Sequence, residues 1–307
     1  MQTRYLGRTE VRVSEIALGT WGLASGAYGE VSETRFEDTV RAAWDAGVTT
    51  FDLAPLWGQG ASARVTAKAL GKNLADAVLV TRVGQVESGD RVMSQFDAIA
   101  VGAAIEQSLE RIGRDYVDVV LLHNPPDAAL ATDRFSRGVG AAIASGKVRA
   151  WGVSTSSLNS ARMAIKVGAQ VLCLAFNALA PDDVEELMPM LKENGVGVLA
   201  RSPLAYGLLG GRVRAATPFA QGDHRRDRWT ADSLKTRLDR VDALTKMAKD
   251  GDVAELSLRL VLSNAFVTSA IVGARSPEQI RHAAKVGADG PPYLENLLLK
   301  QIAALPR

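Results

Sequence analysis

"TTFDLAPLWGQGASARVTAKALG", Thr49 to Gly71, begins as a β-strand ending in an acid, Asp52, and runs into a glycine-bearing loop through Gly58. A strand that delivers a carboxylate at its C-terminal end is how a parallel α/β barrel presents chemistry. The pattern recurs along the chain. Beside "TTFD" (49–52), short runs rich in Val, Ile and Leu occur at "EIALG" (15–19), "AVLVT" (77–81), "VDVVLLH" (117–123) and "VRAWGVS" (148–154). Three more follow at "QVLCLAF" (170–176), "GVGVLARS" (195–202) and "TSAIVG" (268–273). These eight runs are nearly continuous rather than alternating, as parallel strands covered on both faces should be.

Amphipathic stretches lie between them. "ETRFEDTVRAAWDAG" sets Phe36, Val40, Ala43 and Trp44 on one helical stripe, with Gly47 as the stop. "DAIAVGAAIEQSLERIG" (97–113) is read with Ile99, Ala103, Ile105 and Leu109 near one side. Asp182 and Asp183 open a third helix that Gly195 closes. Eight strand–helix units in sequence predict a (β/α)8 TIM barrel, one domain over residues 1–307. An open doubly wound sheet would need a GxGxxG turn after the first strand, and "ALGTWGLASGAYG" lacks that spacing. Residues 3–13 predict an N-terminal β-hairpin plugging the barrel floor. Residues 209–230 predict a long basic loop after strand seven, where a barrel places phosphate binding.

Composition narrows the class. The 307 residues are 47% hydrophobic and 23% charged, which suits a globular protein with a sizeable core. A formal net charge of +2 gives no case for nucleic acid, and no apolar run approaches the ~18 residues of a membrane span. The N-terminus lacks a signal peptide's apolar block. A single cysteine, Cys173, excludes an internal disulfide and fits a reducing compartment, so the expected location is cytoplasmic. Three histidines predict no metal cluster.

The active site of such a barrel lies at the C-terminal ends of its strands. Those ends supply Gly19, Thr20 and Trp21; Asp52; Arg82; His123; Ser154 and Thr155; Asn177; Ser202, Pro203 and Leu204; and Gly273, Ala274 and Arg275. An Asp, an Arg and a His converging on one mouth exceed what a hydrophobic barrel requires.

The segments "LGRTEVRVSEIALGTWG", "FDLAPLWGQGAS", "VDVVLLHNPP", "WGVSTSS", "GVGVLARSPLAYGLLGG" and "IVGARSPEQI" resemble, in order, the successive motifs of the aldo-keto reductase family. The resemblance implies a barrel that binds NADP(H) without a Rossmann fold and transfers hydride to a carbonyl through an Asp, Tyr, Lys and His relay. Position by position, Asp52 matches the acid and His123 the histidine, whereas Trp57 replaces the tyrosine before Gly58 and Arg82 replaces the lysine after Thr81. It further implies cofactor contacts from Gly19, Thr20 and Trp21, and from Ser154, with Thr155 and Cys173 replacing an Asn and a Gln. Arg201 stands where a stacking tyrosine is common. Ser202, Leu204, Gly207 and Gly210 fall on the pyrophosphate segment, and Gly273, Arg275, Ser276 and Gln279 on the 2′-phosphate and adenine segment. Ala283 departs from that segment's usual asparagine.

The replacements change the chemistry. An indole N–H donates a hydrogen bond but releases no proton, so Trp57 can hold a carbonyl oxygen without protonating it. Arg82 stays protonated and is expected to form a bidentate fork to Asp52 rather than tune a phenol. His123, as an imidazolium, is then the remaining acid candidate. Tyr28, in "ASGAYGEVS", is a phenol that could swing over the mouth. Cys173 reads as a small buried hydrophobe. The expected function is an NADP(H)-dependent oxidoreductase with an altered relay; the alternatives are an NADP(H)-binding pseudoenzyme and a non-redox acid/base enzyme using Asp52 and His123. Trp21, Leu56 and Trp57 favour a bulky or partly apolar small-molecule substrate.

Overall fold

The N-terminal residues pair with each other before the barrel begins: β1 (Thr3–Tyr5) and β2 (Arg12–Ser14) form an antiparallel hairpin. The computed structural model describes residues 1–88 and 91–306. β3 (Ile16–Gly19), β4 (Thr50–Asp52) and β5 (Val78–Val83) start the barrel. A second hairpin, β6 (Gln85–Ser88) and β7 (Arg91–Ser94), interrupts it. β8 (Val117–His123), β9 (Val148–Ser154), β10 (Val171–Ala175), β11 (Gly197–Arg201) and β12 (Val267–Val272) complete it. β3, β4, β5, β8, β9, β10, β11 and β12 pair in parallel in that order, and β12 returns to β3. With helices outside, this is the expected (β/α)8 barrel.

β8 and β9 have the boundaries that the sequence predicts. β5 extends beyond Thr81 to Val83, which brings Arg82 inside the strand. The β6–β7 hairpin was not expected, because "QVESGDRVMS" is too polar and turn-rich to read as strands.

Strand parity sorts the core into two shells. Ala17, Val80, Val119, Leu121, Ala150, Val171, Cys173, Leu199 and Ile271 face inward and fill the lumen. The alternate residues, such as Leu18, Phe51, Leu79, Val120 and Leu172, face the helices. On the helix Glu33–Asp45, Phe36, Val40 and Ala43 are buried as expected, and Trp44 packs at the edge. The helix Ala98–Ile112 corrects its prediction. It buries Val101, Ile105, Leu109 and Ile112, whereas Ala103 is exposed and Ile99 is 85% exposed. At about 100° per residue Ile99 stands about 120° from Ile105, so the two cannot share a face.

The N-terminal hairpin seals the floor. Leu6, Val11 and Val13 join the inward cluster and are almost fully buried. Ser14 N donates to Thr50 Oγ1 at 2.9 Å, and Arg8 N to the Gly195 carbonyl at 2.8 Å, which ties the plug to the strand starts. Beneath it the buried Glu15 accepts from Arg4 Nε at 2.5 Å and from the Tyr293 hydroxyl. Truncating Leu6→Ala should cost about 2–5 kcal/mol, read as a lower urea midpoint, because the cavity would open under a closed barrel. Tyr5→Ala, one residue away but 60% exposed, should change stability by no more than about 0.5 kcal/mol.

Candidate active site

The parity that fills the lumen with aliphatic side chains also decides its top layer. Two residues beyond Val80, Leu121 and Leu199 on their own strands lie Arg82, His123 and Arg201, on the same inward face. Asp52 is inward by the same rule, since Phe51 faces the helices. The mouth is therefore a polar layer on an apolar column.

Arg82 organises it. Its Nη1 donates to Asp52 Oδ1 and, at 3.1 Å, to the Leu53 carbonyl, while Nη2 reaches the Cys173 thiol at 3.5 Å. The expected bidentate fork to Asp52 is not formed. The guanidinium spreads its donors because Leu53 O and Cys173 lie on different sides of the lumen and only a planar fork reaches both. Its face stacks on the Trp57 ring, 4.7 Å from the centroid. Arg82 and Asp52 are each about 3% exposed. Burial pushes the Asp52 carboxyl up, and the Arg82 charge opposes that shift. Cys173 is more than a hydrophobe, since its sulfur takes a cationic donor and also lies against the Ser154 hydroxyl.

The loop after β4 holds this arrangement. Thr20, expected at the cofactor, is fully buried and turned toward the helix Ala61–Leu70: its hydroxyl donates to the Asp52 carbonyl at 2.8 Å and meets Ser62 Oγ at 2.7 Å. Ser62 Oγ accepts from Ala54 N at 3.2 Å. Trp57 is half-buried above it. Gly58 follows at φ 61°, and a Cβ there would run into the Ala24 carbonyl, so only glycine lets the loop close.

His123 does not supply the imidazolium that the sequence suggested. Burial first, then the charges of Arg82 and Arg201, lower its pKa to about 3, so the ring is neutral at neutral pH. Thr155 Oγ1 is occupied by Ser157 N at 3.0 Å. Arg201 Nη2 donates to the Thr155 carbonyl at 3.3 Å and to Ser156 Oγ at 2.9 Å. Asn177 Nδ2 holds the Ser202 carbonyl at 3.1 Å, and the chain then turns left-handed at Ser202, Ala205, Tyr206 and Gly207. Leu204 is half-buried on that turn, and a Cβ on Gly210 would meet nothing within 4 Å.

The basic loop forms an irregular strap that crosses to the β3 side. His224 N donates to the Ala27 carbonyl at 2.9 Å. The His224 ring packs against Trp21 at 4.8 Å, Tyr28 at 4.4 Å and Tyr206 at 5.6 Å. Tyr28 is packed under the strap with Arg225 stacked on it at 4.9 Å, and burial pushes its phenol well above the ordinary value. Tyr206 and His224 escaped the sequence reading. Their only signal was aromatic residues within basic, glycine-rich segments. Burial alone would raise the Tyr206 phenol, but Ser202, Arg201 and Arg228 outweigh it and leave the pKa lowered.

Arg275 is half-buried. Its Nη2 donates to the Gly29 carbonyl at 2.8 Å, and its Nε is buried without a partner. Ser276 caps the helix Pro277–Ala288 through Gln279 N at 3.4 Å, and Gln279 Oε1 accepts from Arg275 N at 2.7 Å. Gly273 at the end of β12 is exposed, whereas Gly19 is packed against Ile271.

A model of the aldo/keto reductase family matches residues 15–289. The chain belongs to that family. It is 31% identical to a putative voltage-gated potassium channel subunit beta of Schizosaccharomyces pombe, over 90% of this chain and 85% of the other. It is 27% identical to the aldo-keto reductase YhdN of Bacillus subtilis, over 93% and 88%. The solved glycerol dehydrogenase of Gluconobacter oxydans superposes with a TM-score of 0.85 at 25% identity, covering 98% of this chain and 94% of that one. Aldo-keto reductases are oxidoreductases that use nicotinamide cofactors and small-molecule substrates. No helix among the described residues is long and apolar enough to cross a membrane.

Two outcomes test this mouth. Asp52→Asn should destabilise by about 3–5 kcal/mol by stranding the Arg82 charge, and Asp52→Asn with Arg82→Met should cost less than the sum of the singles. His123 favours the folded state when neutral, so its contribution is complete above its unfolded pKa of about 6.5 and is lost as pH falls toward 3. His123→Gln should flatten that part of the stability curve, and the His123 NMR signals should not titrate between pH 8 and 5.

Proposed function

We propose that this aldo-keto reductase is an NADP(H)-dependent oxidoreductase acting on a carbonyl or related small molecule through an altered proton relay. The observation that carries the reading is the Arg82 guanidinium seated between Asp52 and the Trp57 ring, where the family's lysine and tyrosine would stand. A bound nicotinamide supplies the hydride. The Trp57 indole and the neutral His123 ring each offer one N–H to a carbonyl oxygen. Both polarise the carbonyl and neither delivers a proton, which water must then provide. The loss of a positioned acid costs roughly 10²–10⁴-fold on simple aldehydes.

The adenosine end supports NADP(H). Arg275 keeps an unpartnered buried Nε beside a helix N-terminus capped by Ser276, which suits a phosphate dianion. Gly207, at φ 92°, removes a side chain where a phosphate chain would approach. The nicotinamide end is less open, because the Thr155, Cys173 and Arg82 polar atoms already bond one another or the backbone. Trp21, Leu56 and Trp57 favour a bulky or partly apolar substrate. The lone cysteine fits a reducing, cytoplasmic setting.

NADPH should bind with a dissociation constant well below the millimolar range, seen by its fluorescence, and more tightly than NADH. Arg275→Ala should erase most of that preference, since charge-assisted bonds to the 2′-phosphate are worth about 1.5–3 kcal/mol. The wild type should be poor on simple aldehydes, and Trp57→Tyr with Arg82→Lys should gain on the order of 10²-fold, more than the two singles combined. A second reading, a protein that binds NADP(H) and turns nothing over, is favoured by the same missing acid. A wild type that binds NADPH yet turns over no carbonyl substrate decides for it, and a double variant that binds NADPH yet stays inert puts the defect at the nicotinamide, around Thr155 and Cys173.

A further inference from the structure

The helices Ala98–Ile112 and Ser136–Ala144 lie side by side on the outside of the barrel. They pack closely because Gly138 has no side chain, since a Cβ there would run into the Ala98 carbonyl. Gly102 has no such reason. A Cβ on it would meet nothing within 4 Å, yet a glycine inside a helix costs about 1 kcal/mol relative to alanine. Gly102 lines a groove of about 330 Å³ between the two helices, with Ala141 on the other wall. Ile99, 85% exposed, stands on the rim of the same groove, as do Glu106 and Arg137. One patch therefore carries a knob and a hole, a negative charge and a positive one.

We propose that this face docks a second copy of the chain about a two-fold axis passing beside Gly102. An isologous interface needs a surface complementary to itself, and this patch meets that condition. Both helices return from the mouth end of the barrel and run the same way, with Gly138 level with Ala98. A two-fold axis across them at Gly102 lays the pair antiparallel on its copy. Positions four residues before and after Gly102 then face one another, so Arg137, beside Ala98, meets Glu106 of the second copy. Ile99 enters the far end of the opposing groove, where Ala141 and Ser145 line it. At the axis the two Gly102 backbones can approach closely, a use for a glycine that its own fold does not need. A groove walled by helices has its backbone bonds already made and offers no convergent donors to orient a small ligand. A foreign partner would not require both charges in two-fold register. Size sets the strength. Fifteen residues make a helix about 22 Å long and two helices are about 20 Å across, so each copy offers roughly half of the ~800 Å² of a standard interface. The dimer is weak and forms with rising concentration.

Sedimentation velocity on the full chain, from about 5 to about 500 µM, should show the weight-average coefficient climbing toward that of a dimer. Ile99→Asp should weaken association at least about tenfold, as the loss of a buried anchor does. Gly102→Leu should do the same while raising the thermal midpoint, because it fills the groove from its own chain and improves the helix. Association lost in a variant that is more stable cannot come from misfolding. Leu297→Asp, at a 66% exposed apolar position on another helix, should leave association unchanged. Glu106→Arg and Arg137→Glu should each weaken the dimer, and together they should restore it to within about twofold of the wild type. A chain that stays monomeric across this range would overturn the proposal and leave the groove to a foreign partner. Association that survives both Ile99→Asp and Gly102→Leu, or a charge exchange that fails to restore it, would overturn it as well.

Discussion

A guanidinium taken out of water must be satisfied on every side, because its desolvation costs several kcal/mol that Coulomb attraction alone does not always return. Arg82 meets that condition with four partners of different chemistry: the Asp52 carboxylate, the Leu53 carbonyl, the Cys173 sulfur and the π face of Trp57. These partners come from the end of β4, from β10 across the lumen and from the loop after β4. One side chain therefore fixes the height of two strands and the position of a loop. A lysine, a single compact charge, could not serve all these directions at once. The same arrangement sets the Trp57 ring against the cation.

The rest of the barrel makes that polar layer possible. Inward aliphatic residues fill the column below it, and Leu6, Val11 and Val13 close the far end. With the floor sealed, the open end of the barrel is its mouth. Asp52 depends on Thr20 and Ser62, whose hydroxyls satisfy the backbone around it and leave its carboxylate free for Arg82. Gly58 is the geometric condition for this loop, since any side chain there would collide with the neighbouring turn.

The strap side of the mouth follows different rules. The strap has no regular hydrogen-bonding ladder to hold it, so rings and cations do the work: His224 among Trp21, Tyr28 and Tyr206, and Arg228 3.4 Å from the Tyr206 centroid. His224 takes a bond from Arg228 at Nδ1, leaving a buried Nε2 with no partner. Burial and the nearby arginines keep this ring neutral, with a pKa near 4. His224 Nε2 and Arg275 Nε are both buried without a partner at this end of the mouth.

The barrel was legible in the sequence because parallel strands covered on both faces leave continuous Val, Ile and Leu runs, a signal carried by each residue separately. Asp52, Trp57, Arg82 and His123 were legible as strand-end and loop residues for the same reason: their positions follow from counting along one strand. The stripe on the helix Ala98–Ile112 was misread because apolar character alone does not say which face meets the sheet. What only the tertiary structure decided is how side chains from different strands share their bonds. Arg82 divides its donors between Asp52 and Cys173. Thr20 turns away from the mouth, Tyr28 is packed under the strap, and His123 loses its proton to burial and to two arginines. Each of these outcomes is a sum of fields and contacts from residues distant in the chain, and no local stretch of sequence carries that sum.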